Sequence, residues 1–229
     1  LPALVIRQSQ LSAPLADKLP ILQRIPDCEV REAEDAAPGE AFARSEEFSA
    51  LLLEFLERRA PREPLAYRSG SDPRTLRDAL GCFATGVTII TAIGADGRPI
   101  GLTANSFTSV SLDPALLLAC IDNRAQSLET LTTGEYFAVN VLHIGQQPTS
   151  NRFASRGIED RFAGIGWQKG EFGSPIISGS LASFECRRHA IHIAGDHHIL
   201  IGEVKKATFE PRRDPLLYFR GRYRRLHFG

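Results

Sequence analysis

From residue 87 to residue 209 the chain is a succession of short apolar and β-branched runs divided by tight-turn signals, and this pattern most limits its fold. The runs fall at 87–91, 100–111, 116–121, 136–142, 181–193 and 197–209. Ala95-Asp96-Gly97-Arg98-Pro99 and Ala194-Gly195-Asp196 read as hairpin turns between them. Short helices are expected only at 125–133 and 145–156. Many strands with few helices predict a mainly β domain, a Greek-key barrel, instead of a doubly wound α/β sheet.

The first sixty residues read differently. Ala3-Leu4-Val5-Ile6 suits a strand, and Phe48, Leu51, Leu52, Phe55 and Leu56 recur at helical spacing over 45–59. Ser45 can cap that helix, Glu46 and Glu47 suit its start, and Arg58 and Arg59 before Pro61 suit its stop. This arrangement resembles the C-terminal end of an α/β-hydrolase. That family carries a histidine in the loop before its last helix, whereas the loop here reads Glu34-Asp35-Ala36-Ala37-Pro38-Gly39-Glu40 and the first histidine is His143. Without an imidazole no Ser-His-acid triad can form, so 1–60 is read as a small α/β appendage, a packing remnant or the tail of a larger upstream domain. Residues 61–71 serve as a linker, and 72–229 form the second unit. Its opening helix has Asp72 as N-cap and Pro73 at the first helical position. Leu76, Leu80 and Phe83 face a core, and the helix ends near Gly86.

Composition excludes several classes. Lys plus Arg and Asp plus Glu balance at 27 each, so no basic field recruits nucleic acid or an anionic membrane. Cys28, Cys82, Cys120 and Cys186 are widely spaced and read as buried free thiols of a reducing compartment. No apolar run approaches the roughly 18 to 20 residues that span a bilayer, and no secretory signal is visible; a cytoplasmic location is expected. The sequence starts at Leu1 and holds no methionine, so a missing upstream portion or omitted methionines are expected.

Two stretches carry candidate chemistry. In 100–111, Ala104, Asn105, Ser106 and Ser109 keep side-chain bulk low and leave hydroxyl, amide and backbone groups to meet a flat polar partner. The alternative is an ordinary strand followed by a Ser/Thr turn. In Asp122-Asn123-Arg124-Ala125-Gln126-Ser127-Leu128-Glu129 a strand runs into a helix start, where Arg124 and Ser127 suit a phosphate; the alternative is a plainly capped helix with a surface arginine. A ligand with a flat polar ring at one end and a phosphate at the other would use both stretches. His192, His197 and His198 cluster at the late hairpin, with His197 and His198 facing opposite ways. Adjacent strand positions chelate poorly and no third ligand is spaced to help, so no metal is expected. Gly164-Ile165-Gly166-Trp167-Gln168-Lys169-Gly170 fails as a dinucleotide fingerprint, because its third glycine comes late and no strand precedes it. Neither a phosphate-binding Lys-Ser/Thr loop nor a nucleophile elbow is present.

Residues 72–229 resemble the flavin reductase family of the FMN-binding split barrel, the reductase components of two-component flavin monooxygenases. The matching stretches are Phe83-Ala84-Thr85-Gly86-Val87-Thr88, the run from Gly101 through Thr103, Asn105 and Phe107 to Ser111, Phe137-Ala138-Val139-Asn140-Val141-Leu142, Gly195-Asp196-His197, and Phe219-Arg220-Gly221-Arg222-Tyr223. The resemblance implies an FMN-binding split β-barrel in which Thr103, Ala104, Asn105 and Ser106 lie along the isoalloxazine ring and Ser109, Val110 and Ser111 continue the contact. By the same resemblance Asn123, Arg124 and Ser127 cradle the phosphate, and His197 lies by the nicotinamide and flavin rings as the catalytic residue. Phe153 and Tyr223 lie near the cofactor or a dimer seam. The implied activity is NAD(P)H-dependent reduction of FMN or FAD by a homodimer, with NADH or NADPH as hydride donor and a monooxygenase as acceptor. Two rival readings are a flavin- or haem-binding module without turnover and a structural fusion whose activity lies upstream.

Overall fold

The structure, a computed structural model, describes residues 3–8, 28–33, 45–59 and 65–226. Two compact units divide at residue 66. In the first, β1 (Ala3–Gln8) pairs in parallel with β2 (Cys28–Ala33), Ala3 opposite Cys28. Helix α1 (Ser45–Arg59) closes with Arg58 and Arg59 and buries Phe55, while Leu52, Leu53 and Leu56 are exposed. The loop at 34–40 lies outside the described residues, so the hydrolase resemblance rests on sequence alone.

The second unit opens with α2 (Pro73–Leu80), where the Asp72 carboxylate accepts a hydrogen bond from the Arg74 N–H at 3.0 Å. Its strands are β3 (Thr85–Gly86), β4 (Thr88–Ile93), β5 (Pro99–Ala104), β6 (Thr108–Leu112), β7 (Ala115–Asp122) and β8 (Tyr136–Val141), then β9 (Trp167–Lys169), β10 (Pro175–Ile177), β11 (Ala182–Ala194), β12 (His197–Phe209), β13 (Leu217–Phe219) and β14 (Arg222–Arg224). Helices α3 (Leu128–Thr133) and α4 (Gln147–Ala154) flank β8 in the chain. The stretch at 100–111, expected as one strand, breaks at residues 105–107 into β5 and β6. Helix α2 also stops six residues earlier than expected, and Leu76, Leu80 and Phe83 are exposed instead of facing a core. Eight residues bury none of their side chains here, and the helix is tied at its end by the Arg220 N–H to the Gly81 carbonyl at 2.9 Å.

Seven strands form one antiparallel sheet in the order β5-β4-β8-β11-β12-β7-β6. Laid flat, its two end strands would stand about 29 Å apart. Residues 105–107 join those ends and reach at most about 13 Å. The sheet therefore has to curl into a barrel, although β5 and β6 do not pair, which leaves it split. At the split the Ser106 hydroxyl stands in for a missing strand. It accepts from the Cys120 N–H at 3.0 Å and donates to the Cys120 carbonyl at 2.9 Å, just where the β6–β7 ladder has stopped.

Both faces of β4 are buried, so its side chains alternate between two cores. Ile90 and Ala92 join Leu117, Ala119, Ile121, Phe137, Val139, Cys186 and Leu200 inside the barrel. Ile89 packs outside with Leu142, Phe153, Phe162, Ile177 and Leu216. One buried amide ties the outer layer on. Asn140 donates to the Ile89 carbonyl at 3.2 Å and Thr91 Oγ1 at 3.1 Å, and accepts from the Ile177 N–H at 2.9 Å and Ser183 Oγ at 3.1 Å. Of the cysteines expected to be buried, Cys186 is, and burial pushes its thiol up to about 12. Cys120 is half-buried and Cys82 exposed; all three are free thiols.

Replacing Asn140 with Ala should destabilise the fold by about 3 kcal/mol, since the Ile177 N–H and Ser183 hydroxyl lose their partner inside the core; urea denaturation measures it. Acid should also weaken the fold through His143. Its Nδ1 accepts from the Gly145 N–H at 3.0 Å, and burial, reinforced by Arg213, holds its pKa below 6.5. The unfolded chain then binds the proton first, so stability is complete above about pH 6.5 and declines as pH falls below it. Denaturation midpoints measured from about pH 7.5 to 5.5 should show this decline, and His143→Asn, which keeps a capping acceptor, should reduce it.

Candidate functional site

A cleft of about 450 Å³ opens on the outer face of the barrel, lined by Leu102 and Thr103 of β5, residues 122 and 124–127, Phe153 and Ala154 of α4, Arg156 and Arg161. Its volume falls in the range of small-molecule sites. Period-two alternation along β5 explains the placement. Thr103 points outward, where its hydroxyl donates to the Ser150 carbonyl at 2.7 Å, whereas Ala104 joins the barrel core. Gly101 shares the outer face, and any Cβ there would sit 2.8 Å from Phe153 Cε1. The bare glycine lets α4 pack close enough to form one wall.

The cleft brings together Thr103, Arg124, Ser127 and Phe153 from the residues singled out by sequence. Phe153 is buried beneath it, edge-on to Phe162. The others take different places. Asn105, Ser109 and Val110 are exposed, Ser106 is spent on the barrel split, and Ser111 is half-buried on β6. Tyr223 lies behind α4, its hydroxyl 2.8 Å from Ser150 Oγ.

Among the described residues, two polar groups at the cleft are buried without a hydrogen-bond partner: Ser127 Oγ and Arg161 Nε. Ser127, 3 % exposed, precedes α3 but does not cap it. That helix is six residues long, so side chains, more than a helix dipole, supply the polarity here. Arg161 is braced across the cleft, donating to the Gly101 carbonyl at 3.0 Å and the Ser155 carbonyl at 3.1 Å, with Gln126 Oε1 at 3.5 Å. Both residues line the cleft, and a hydroxyl and a guanidinium N–H are donor types that suit a phosphate. Arg156 stands at the same cleft without a partner among the described residues. Arg161 and Gln126 carry no periodic signal in the sequence; Arg161 and Gly101 meet only through the fold.

Arg124 is less free than its position suggested. It grips Asp122 with Nη2–Oδ2 at 2.8 Å and Nε–Oδ1 at 3.1 Å, and its backbone N–H adds 2.8 Å to Oδ1. The guanidinium holds the Asp122 carboxyl far below the usual carboxylate range. His197 stands opposite Asp122 in the β12–β7 ladder, and opposed residues present side chains to one face, so its imidazole shares the face of the cleft. His198 opposes the buried Ile121 and points the other way. His197 Nδ1 lies 2.7 Å from Asp196 Oδ1, and that bond holds the Asp196 carboxyl below its ordinary range. Among the described residues no three His, Cys, Asp or Glu side chains are grouped to hold a metal ion, and no helix is long and apolar enough to cross a membrane.

The second unit is thus an antiparallel split barrel with a cleft on its outer face. Residues 80–227 match the flavin reductase like domain, and the chain belongs to that family. It is 50 % identical over 133 residues to the stachydrine N-demethylase reductase subunit of Rhizobium meliloti, covering 58 % of this chain and 57 % of that protein. To the NADH FMN reductase of Agrobacterium fabrum it is 42 % identical over 166 residues, 72 % of this chain and 93 % of the other. The solved Streptomyces globisporus NADH:FAD oxidoreductase, in complex with NAD and FAD fragments, superposes with a TM-score of 0.67 at 41 % identity, covering 71 % of this chain and 98 % of that one. The chain spans about half the length of the first curated relatives it matches.

Ser127→Ala should leave the ligand-free protein as stable as the parent, or slightly more stable, because a buried hydroxyl without a partner is removed. Thermal denaturation of the ligand-free protein checks this.

Proposed function

We propose that the chain reduces free FMN or FAD with hydride from NADH or NADPH and supplies the reduced flavin to a partner monooxygenase. The orphaned Ser127 hydroxyl and Arg161 N–H carry this reading, because they offer an anion two donors that have no partner among the described residues. Arg156 adds positive charge at the rim. The flat ring would lie along the outer face of β5 beside Thr103.

The flavin, when bound, supplies the hydride-accepting ring system, so the protein needs neither metal nor nucleophile. What the chain contributes is position. Its cleft holds one ring so that a second can stack at near-attack distance. His197 approaches the same face, with Nδ1 donating to Asp196 and Nε2 left to meet the nicotinamide or the flavin edge. Asp196 keeps the imidazole from swinging, as an orienting carboxylate does. A homodimer and a cytoplasmic location, where nicotinamide nucleotides are reduced, belong to the same proposal.

Titrating the protein with FMN or FAD and then adding NADH without oxygen tests this reading. Bleaching of the flavin absorbance within seconds is expected; bound flavin that stays oxidised with both NADH and NADPH would leave a binding module. Ser127→Ala should weaken flavin binding about tenfold, the scale of a charge-assisted hydrogen bond. His197→Ala should slow reduction at least tenfold while flavin affinity holds, read by stopped-flow absorbance.

A further inference from the structure

Residues 122–124 and 195–198 interlock, and the interlocking uses the groups that a phosphate cradle would need. The Asn123 N–H donates to the Asp196 carbonyl at 3.0 Å. Its side-chain amide donates to the Gly195 carbonyl at 3.4 Å, and its Oδ1 lies 2.8 Å from His198 Nδ1. With the amide nitrogen turned to a carbonyl, Oδ1 must accept, so His198 Nδ1 carries a proton and donates. One exposed asparagine thus spends its backbone N–H, its amide nitrogen and its amide oxygen on a single hairpin turn. Arg124, next in the chain, is spent on Asp122. Asn123 turns its amide nitrogen to Gly195, and Arg124, although it lines the cleft, holds its Nε and Nη2 on Asp122, whereas Ser127 Oγ and Arg161 Nε have no partner among the described residues.

We propose that Asn123 and His198 are positioning residues that clamp the hairpin and so fix His197 over the cleft, and that Ser127 and Arg161, not Asn123, anchor the flavin phosphate. This rests on the flavin-reducing function proposed above. The geometry gives the clamp a reason. His197 is the first residue of β12 and follows a two-residue turn, Gly195-Asp196, that needs the positive φ of Gly195. Among the described residues no strand pairs with the β8-facing edge of β11 beyond Arg187. Asn123 therefore supplies the side-chain tie between the turn and the barrel, one residue from the carboxylate that opposes His197.

The clamp separates two properties that a phosphate cradle would merge. Asn123→Ala and His198→Ala, made singly and together, are compared for flavin affinity by fluorescence quenching and for reduction rate over a range of NADH. Amide hydrogen exchange at 195–198 in the ligand-free protein is followed alongside. Each single variant should keep its flavin Kd within about threefold of the parent, lose at least tenfold in reduction rate per NADH concentration, and exchange faster at the hairpin. The double variant should be no worse than the more impaired single, because both residues belong to one contact. His198→Gln, whose amide can still donate to Asn123, should recover part of the loss. A tenfold weaker flavin Kd with unchanged reduction at saturating flavin would restore Asn123 to the phosphate and overturn the clamp. Unchanged kinetics and exchange in both single variants would overturn it as well. A parent protein that neither binds nor reduces flavin would instead refute the proposed function, and the exchange comparison would still report whether the tie exists.

Discussion

A tether of three residues between the two end strands of a seven-stranded sheet is the constraint on which the second unit depends. Because residues 105–107 cannot span a flat sheet, the sheet curls, and its inner face closes over Ile90, Ile121, Phe137 and Leu200. Closure without pairing leaves a ladder gap, which the Ser106 hydroxyl fills by bonding both backbone groups of Cys120. Backbone groups buried without partners are costly, so a serine at this point serves the barrel more directly than it serves a ligand.

Curling also creates the outer surface on which the cleft is built. Ile89, Phe153, Phe162 and Ile177 make a second core outside the barrel, held by the Asn140 side chain. Phe153 reaches β5 only because Gly101 has no side chain, and that contact sets the distance between α4 and the strand. The cleft is the space left between this wall and the segment from Asp122 to Ser127. Its shape thus follows from how two apolar layers pack, and its chemistry from which polar groups are left over.

Those leftovers are few. Thr103 gives its hydroxyl to Ser150, Arg124 its guanidinium to Asp122, Asn123 its amide to the hairpin, and Arg152 its guanidinium to the carbonyls of Asp160 and Arg161. Ser127 Oγ and Arg161 Nε remain, buried and unmatched. An unmatched buried donor is a standing cost to the fold that a bound anion would relieve. Of Arg152, Arg156 and Arg161, the first braces a loop, the second lines the cleft without a partner among the described residues, and the third lines it while bonded to the Gly101 and Ser155 carbonyls.

The amino-acid sequence by itself determined the strand pattern, the turn at Gly195-Asp196, the α/β character of the appendage and the family, because alternation and turn chemistry act between near neighbours. It also marked Ser127 at a helix start, while Thr103 and Phe153 were marked by the family resemblance. Only the tertiary structure decided that Leu76, Leu80 and Phe83 face outward, since a helical stripe states that a face is apolar but not what covers it. It alone decided that Ser106 closes a seam, that Asn123 holds a hairpin and that Arg161 meets Gly101. Each of those outcomes depends on a hydrogen-bond partner distant in the chain, and a side chain's use is settled by which unmatched group the fold brings within about 3 Å of it.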